Sequence, residues 1–195
     1  MTRQVPHIWN SDMYKKVRPY ILLIFVTVLM AASTLSHGLA AQPRTIGAGI
    51  SFNGLSVTYE HMLKDNSFLE LSLKAESVEL SAGRASYPGA SASVSWNYIL
   101  KEWKSEDGNA INFFIGPGLV AGYASDYKTC DGLILGIKGR IGFECLFIRN
   151  IVISATISPI IGTHIVYNDV AASMKYYRNG LQYSLIPEIG IKYRF

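Results

Sequence analysis

Three residues near the C-terminal end of the sequence have side chains that could perform acyl transfer. His164, Asp169 and Ser173 supply a histidine, an acid and a serine within one short segment. In such a set the histidine removes the proton of the serine hydroxyl, and the acid orients the histidine. His164 and Ser173 are therefore the catalytic candidates, although the simpler interpretation of His164 is a histidine in a solvated outer loop.

Metal and cofactor motifs are not found in the sequence. The acids that could join His164, namely Asp126, Asp131 and Asp169, are scattered over two segments without the spacing of a ligand set. No phosphate loop, dinucleotide fingerprint or haem motif occurs. We therefore expect neither a metal nor a cofactor.

The elements that position these residues are predicted to be β-strands. From Leu181 to Phe195 the closing segment "LQYSLIPEIGIKYRF" alternates apolar and polar side chains, as a strand with two different faces does. The same alternation occurs earlier, between turn-forming residues, at 45–52, 55–63, 68–80, 90–100, 110–124, 133–147 and 151–162. No helical periodicity competes after residue 44. The sequence therefore predicts an all-β fold, an eight-stranded antiparallel up-and-down β-barrel.

The sixth predicted strand, 133–147, indicates which face points outward. One side carries leucine, isoleucine and phenylalanine, and the other carries Lys138, Arg140 and Glu144. In a membrane barrel, turning one lysine or arginine toward mid-bilayer lipid costs about 2–4 kcal/mol. The apolar side is therefore expected to face lipid, which makes the barrel a transmembrane one.

The same alternation places five acids and five bases inside the predicted barrel. They are Glu60, Glu70, Lys74, Glu76, Lys138, Arg140, Glu144, Glu188, Lys192 and Arg194. Side chains fill the interior of an eight-stranded barrel, and buried charges are tolerated when they are paired and hydrogen-bonded. We therefore predict a salt-bridged interior that plugs the barrel and leaves no open pore.

A soluble barrel with an apolar interior is the structural alternative, and the aromatic residues argue against it. If the N-terminus lies on the periplasmic side, the outward aromatic residues gather near the two rims. They are Tyr59, Trp96, Tyr98, Phe113, Phe143, Phe147, Tyr193 and Phe195 at one rim, and Phe52, Tyr123 and Tyr183 at the other. Two aromatic belts around an aliphatic band are typical of the two membrane interfaces.

Three prolines interrupt the predicted strands. Pro117, Pro159 and Pro187 all share the outward parity. Proline cannot donate to a ladder and is normally confined to edges or bulges, and a closed barrel has no edge. We therefore predict a local bulge at each proline.

The first forty residues are predicted to be a cleavable signal peptide. A basic start at Lys15, Lys16 and Arg18 precedes the apolar run that begins at Tyr20, and small residues follow up to Ala40. This segment carries +3 of the formal net charge of +4, so residues 41–195, the predicted barrel, are nearly neutral. Nucleic acid is therefore not an expected partner.

The whole pattern resembles a known family. An apolar leader, eight amphipathic strands and the final "GIKYRF" are similar to the small bacterial outer-membrane β-barrels of the OmpX, OmpW or OmpA-barrel kind. The resemblance implies an outer-membrane location, export through the signal peptide, and contact with outer-membrane lipids and lipopolysaccharide. It also implies recognition by the barrel-assembly machinery through the terminal aromatic signal, here Tyr193 and Phe195.

The resemblance leaves the function open, because barrels of this kind serve several roles. The leading hypothesis is a non-enzymatic structural, envelope or adhesion protein. Its contact surface for a surface protein or host partner would be the loop from Thr163 to Gly180, which is rich in amphipathic side chains. The contact candidates are Tyr167, Met174, Tyr176 and Tyr177.

Two alternatives remain. One is an enzyme that modifies lipid A or phospholipid through His164 and Ser173, although related deacylases place histidine and serine two residues apart on a strand and "THIVYN" lacks that arrangement. The other is a narrow, porin-like channel for small hydrophobic solutes, which requires a gap in the lumen or the wall.

Overall fold

The computed structural model describes residues 43–52, 54–78, 86–105, 108–126, 130–147, 150–168, 171–182 and 185–195. The predicted signal peptide lies outside the described residues. The elements are β1 (Arg44–Ser51), β2 (Gly54–Lys64), β3 (Ser67–Val78), β4 (Ser86–Lys104), β5 (Ala110–Asp126), β6 (Cys130–Phe147), β7 (Ile151–Ile157), β8 (Ile160–Asn168), β9 (Ala171–Tyr176), α1 (Asn179–Gln182) and β10 (Glu188–Arg194). In the described part of the chain, no helix is long and apolar enough to span a bilayer.

The sheet closes on itself as an eight-stranded antiparallel barrel. A path of directly opposed residues leaves β5 at Ile111, passes once through β6, β7, β10, β1, β2, β3 and β4, and returns to β5 at Ala121. The intermediate residues are Cys145, Ile153, Ile191, Ala48, Val57, Leu73 and Ala92. The return to β5 at a different residue is the stagger that a tilted, closed barrel requires.

This path also shows which side of the wall is apolar. Every residue on it is aliphatic or cysteine, whereas the path that starts one residue later, at Asn112, contains only polar residues and glycine. That second path runs through Glu144, Ser154, Gly190, Gly49, Ser56, Lys74, Ser91 and Gly122. Successive residues of a strand point to opposite faces, so the barrel has one apolar and one polar face.

Burial assigns the apolar face to the outside. Ile137 is 64% exposed, whereas its neighbour Lys138 is 9% exposed. The core of a soluble protein shows the opposite distribution. The predicted orientation of the sixth strand and the predicted fold class are therefore confirmed.

The terminal end of the barrel carries the C-terminus and the start of β1, and the opposite end, where β8 turns into β9, is called the loop end. At the terminal end, exposed Trp96 and Tyr98 stack with 6.0 Å between ring centroids, and the ring centroids of Phe113 and Phe143 lie 4.9 Å apart.

The strand β4 is longer than predicted. It continues through Lys104 and pairs with β5 there, so the predicted end of this strand at residue 100 was wrong.

The closed barrel has eight strands side by side, and the place of each strand is called a wall position here. The last two wall positions are each built from two strand segments. β7 and β8 both pair with β6 and continue one another, while β9 pairs with β8 and β10 pairs with β7. Most of the predicted outer loop from Thr163 to Gly180 is therefore a β-hairpin of the wall.

The closing strand is shorter than predicted. The sequence pattern extends from Leu181 to Phe195, whereas β10 covers only Glu188–Arg194. Tyr176 lies opposite Thr163 and Glu188 opposite Thr156, so eleven residues of the last wall position face six of the preceding one. The five extra residues let the chain leave the ladder between β9 and β10, where α1 lies.

The predicted bulges at Pro117 and Pro159 were wrong. The register of β6 against β7 continues unchanged into its register against β8, across Pro159. The register of β4 against β5 is likewise the same on both sides of Pro117, and the shift in that pair lies between Ile99 and Lys101. Pro187 lies just before β10, at the end of the stretch whose five extra residues interrupt the ladder, so an irregularity is present at this proline. Short interruptions of the ladder and a strand start accommodate the missing donors.

Candidate functional site

The middle of the lumen is crossed by a group of buried charges, here called the central cluster: Glu60, Glu70, Arg140, Glu144 and Lys192. The ammonium of Lys192 on β10 contacts the carboxylate of Glu60 on β2, and it lies 2.5 Å from that of Glu144 on β6. All three side chains are at most 6% exposed. One cation therefore ties three strands together across the barrel.

Arg140 on β6 extends the cluster to β3. Its guanidinium contacts the carboxylate of Glu70 and lies 3.8 Å from that of Glu60. It also lies over the ring of Phe114 at 4.9 Å, and Phe114 makes an edge-to-face contact with Phe68 at 5.2 Å. Each cation contacts two carboxylates, so ion pairing compensates part of the cost of burying these charges.

On the loop-end side of the central cluster, the lumen contains a polar chamber of about 40 Å³. In its wall, Lys74 Nζ lies 3.9 Å from Glu188 Oε2, and Ser56 Oγ donates to Glu188 Oε1 at 2.8 Å. Lys138 Nζ donates to Ser93 Oγ at 3.0 Å. A volume of this size holds about three water molecules.

Tyr177 covers the chamber from the loop end. Its N–H donates to the carbonyl of Gly162 at 3.0 Å, and its hydroxyl donates to Glu76 Oε2 at 3.4 Å. Ser91 Oγ donates to the other oxygen of Glu76 at 2.9 Å. Tyr177 is only 2% exposed, so its prediction as an outer-loop contact residue was wrong.

His164 is also an interior residue rather than a solvated loop histidine. It lies on β8 directly opposite Ile134 of β6, is 1% exposed, and stacks on Tyr177 with 6.3 Å between ring centroids. A β-carbon on Gly132 would lie 2.9 Å from its Nε2 atom, so the glycine leaves room for the imidazole. The apparent loop is continuous with the wall, which explains the difference.

Ser173 lies on the strand next to His164. It is opposite Val166, two positions along β8 from His164, so the two candidates occupy diagonal positions on one face of the hairpin. Asp169 lies outside the described residues. The structure therefore brings the histidine and the serine to the same face but places the histidine beneath Tyr177, away from the membrane surface where a lipid substrate would arrive.

The other contact candidates follow the alternation of the β8–β9 hairpin. Met174, opposite Ile165, is 67% exposed, and Tyr176, opposite Thr163, is 48% exposed. The side chain of Tyr167 is outside the described residues. Met174 and Tyr176 thus form an adjacent exposed pair at the loop end.

The C-terminal residues lie at the terminal rim. Phe195 exchanges two backbone hydrogen bonds with Arg44, at 3.0 and 2.9 Å, which joins the last residue to the first strand. Tyr193 and Phe195 are exposed on the outside. Arg194 lies outside the central cluster, at the rim, where its backbone is bonded to Asn150. The role of the two aromatic residues as an assembly signal stays a prediction.

Several interior residues were not anticipated from the sequence. Phe68, Phe114, Asn97 and Asn112 are buried in the lumen. Their inward parity could have placed them there, but an aromatic residue inside a polar lumen is recognised only once Arg140 is seen against its ring. Among the described residues, no group of three or more histidine, cysteine, aspartate or glutamate side chains has a metal-binding arrangement.

No protein-family model matches the sequence, and no curated protein is similar to it. Solved outer-membrane barrels are similar in fold. The N-terminal β-barrel domain of Pseudomonas aeruginosa OprF has a TM-score of 0.46 and 11% identity, covering 79% of this chain and 96% of that one. A major outer membrane protein from Thermus thermophilus has a TM-score of 0.45 and 11% identity, covering 80% and 100%.

A further similar structure is Ail, the attachment invasion locus protein of Yersinia pestis. It has a TM-score of 0.32 and 12% identity, covering 79% of this chain and 95% of that one. At these identities the likeness concerns the fold alone. The architecture of a small outer-membrane barrel rests on the closed ladder and on the inside-out distribution of side chains described above.

Proposed function

We propose that the protein is a bacterial outer-membrane barrel with a closed interior, which serves the cell envelope through its wall and its loop end and conducts no solutes. The observation that carries this proposal is the central cluster. Its five side chains come from four strands, meet in the lumen and are each at most 6% exposed. Because side chains fill the interior of an eight-stranded barrel, a cluster of this kind supports an interior without a continuous water path.

Solute uptake by proteoliposomes tests the closed interior. We expect vesicles that contain the folded protein to swell in small sugars no faster than protein-free vesicles. A large porin, whose barrel does enclose an aqueous channel, is the positive control. Swelling that depends on protein dose and falls with the size of the sugar would instead support the channel alternative.

The loop end supports a surface role as the second part of the proposal. Met174 and Tyr176 are both well exposed, and they share the outward face of the β8–β9 hairpin. A large amphipathic side chain such as that of Tyr176, on an exposed face at the loop end, suits the interfacial region of lipopolysaccharide. The hairpin is therefore proposed to contact lipopolysaccharide or a partner at the cell surface.

Replacing Met174 and Tyr176 together by serine tests this contact. We expect lipopolysaccharide to bind the detergent-solubilised variant at least about fivefold more weakly, because two anchoring side chains are worth of the order of 1 kcal/mol or more. The matched control replaces Leu185, which is 60% exposed outside the hairpin, by serine. Equal binding by the wild-type protein and the double variant, with both folded, rules the hairpin out as the contact surface.

A further inference from the structure

Lys138 is a buried cation, and most of its hydrogen-bond donors have no acceptor among the described residues. Its ammonium has three N–H donors, and within the described part of the chain it makes one hydrogen bond, to the hydroxyl of Ser93. Lys74, Arg140 and Lys192 each lie within 4 Å of a carboxylate, whereas no such ion pair is formed by Lys138 among those residues. Lys138 is 9% exposed and lines the polar chamber.

The carboxylates of the chamber are already engaged. Glu76 accepts from Ser91 and Tyr177, one donor on each oxygen. Glu188 accepts from Ser56 and faces Lys74. Among the described residues that line the chamber, the N–H donors of Lys138 are therefore the polar groups in need of partners, and a buried ammonium without acceptors is costly.

We propose that the polar chamber binds one small monovalent anion, a halide or the carboxylate of a small solute, against the ammonium of Lys138. The hydroxyl groups of Ser72 and Thr156 line the same chamber and can donate to the anion as well. Tyr177 lies above this site and separates it from the loop end.

Size and charge restrict which anion is accepted. The chamber holds the volume of about three water molecules, which excludes larger oxyanions with their hydration shells. Because Glu76 and Glu188 also line the chamber, a divalent anion is repelled more strongly than a monovalent one. The site is therefore selective for bromide, chloride or formate over sulfate.

Anomalous diffraction from crystals of the folded protein grown in sodium bromide tests the site directly. We expect a bromide peak within hydrogen-bonding distance of Lys138 Nζ in the wild-type protein and no such peak in the Lys138→Met variant. Lys104→Met, at an exposed ion pair with Glu102, is the matched control and keeps the peak. Density at Nζ that fits only water in the wild-type protein would overturn the proposal.

A titration in detergent micelles tests the same site without a crystal. Bromide and formate are expected to raise the melting temperature saturably beyond the effect of sodium sulfate at equal ionic strength, and the apparent affinity is expected to fall at least tenfold in Lys138→Met. Ser93→Ala, which keeps the charge, should weaken binding by a smaller factor. An identical dependence on all three salts, or an unchanged titration in Lys138→Met, would contradict an anion site whether or not the barrel conducts solutes.

Discussion

Replacing Lys192 by methionine is expected to lower the free energy of unfolding by about 3–5 kcal/mol, the cost of breaking a buried ion pair by removing one partner. Lys192 contacts both Glu60 and Glu144. Methionine fills a similar volume, so the loss is mainly electrostatic: two buried carboxylates lose their shared cation. Urea unfolding of the protein in lipid vesicles, followed by tryptophan fluorescence, measures the change.

The comparison with Lys104→Met isolates the effect of burial. Lys104 forms an ion pair with Glu102 at 3.1 Å, but the lysine side chain is 72% exposed, and exposed pairs contribute about 0–1 kcal/mol. In the Lys192→Met background, Glu144→Gln should restore part of the stability, because one unpaired charge is removed. A cost below about 1 kcal/mol for Lys192→Met, the range of an exposed pair, would mean that water or other groups satisfy the two carboxylates and that the central cluster does not hold the strands together.

Replacing Ile137 by arginine is expected to cost about 2–4 kcal/mol, because an arginine at mid-bilayer depth on the lipid face of a barrel carries that penalty. Ile137 lies on β6 between inward-facing Gly136 and Lys138, and it is 64% exposed. On the surface of a soluble protein the same substitution would change stability by roughly 0.5 kcal/mol or less. The experiment therefore distinguishes lipid from water on this face.

The control is the same charge placed at the loop end. Met174 is about as exposed as Ile137 but lies on the β8–β9 hairpin, and the penalty near an interface is only about 0–1 kcal/mol. Equal costs for Ile137→Arg and Met174→Arg, measured by urea unfolding in vesicles, would contradict the assignment of the apolar face to lipid.

The faces of the strands were predictable from the sequence because a strand alternates with a period of two. On β6 the inward Lys138, Arg140 and Glu144 and the outward Ile137 follow directly from that rule. Which acid pairs with which base is harder to predict from the sequence. That Lys192 lies between Glu60 and Glu144 depends on the register of three strands that are far apart along the chain.

The errors occurred where the ladder is broken or displaced. Leu181 has the parity of a strand residue, yet it belongs to α1, because five extra residues before β10 let this segment leave the wall. Tyr177 resembles any exposed loop tyrosine in sequence, and its inward position is determined by long-range contacts with Gly162 and Glu76. The hydrophobic periodicity of a sequence carries no information about such long-range contacts. The position of Tyr177 over the chamber could therefore not have been predicted.

Site-directed spin labelling along β6 would test the central claim most directly. Labels at Leu133, Leu135, Ile137, Ile141 and Phe143, in a background with Cys130 and Cys145 replaced by alanine, cover eleven residues, about the span of one transmembrane strand. In lipid vesicles we expect the ratio of oxygen accessibility to that of a water-soluble nickel reagent to be highest for the label at Ile137. This ratio should fall toward the labels at Leu133 and Phe143. Uniformly high access of the nickel reagent at all five positions would contradict a membrane-spanning barrel.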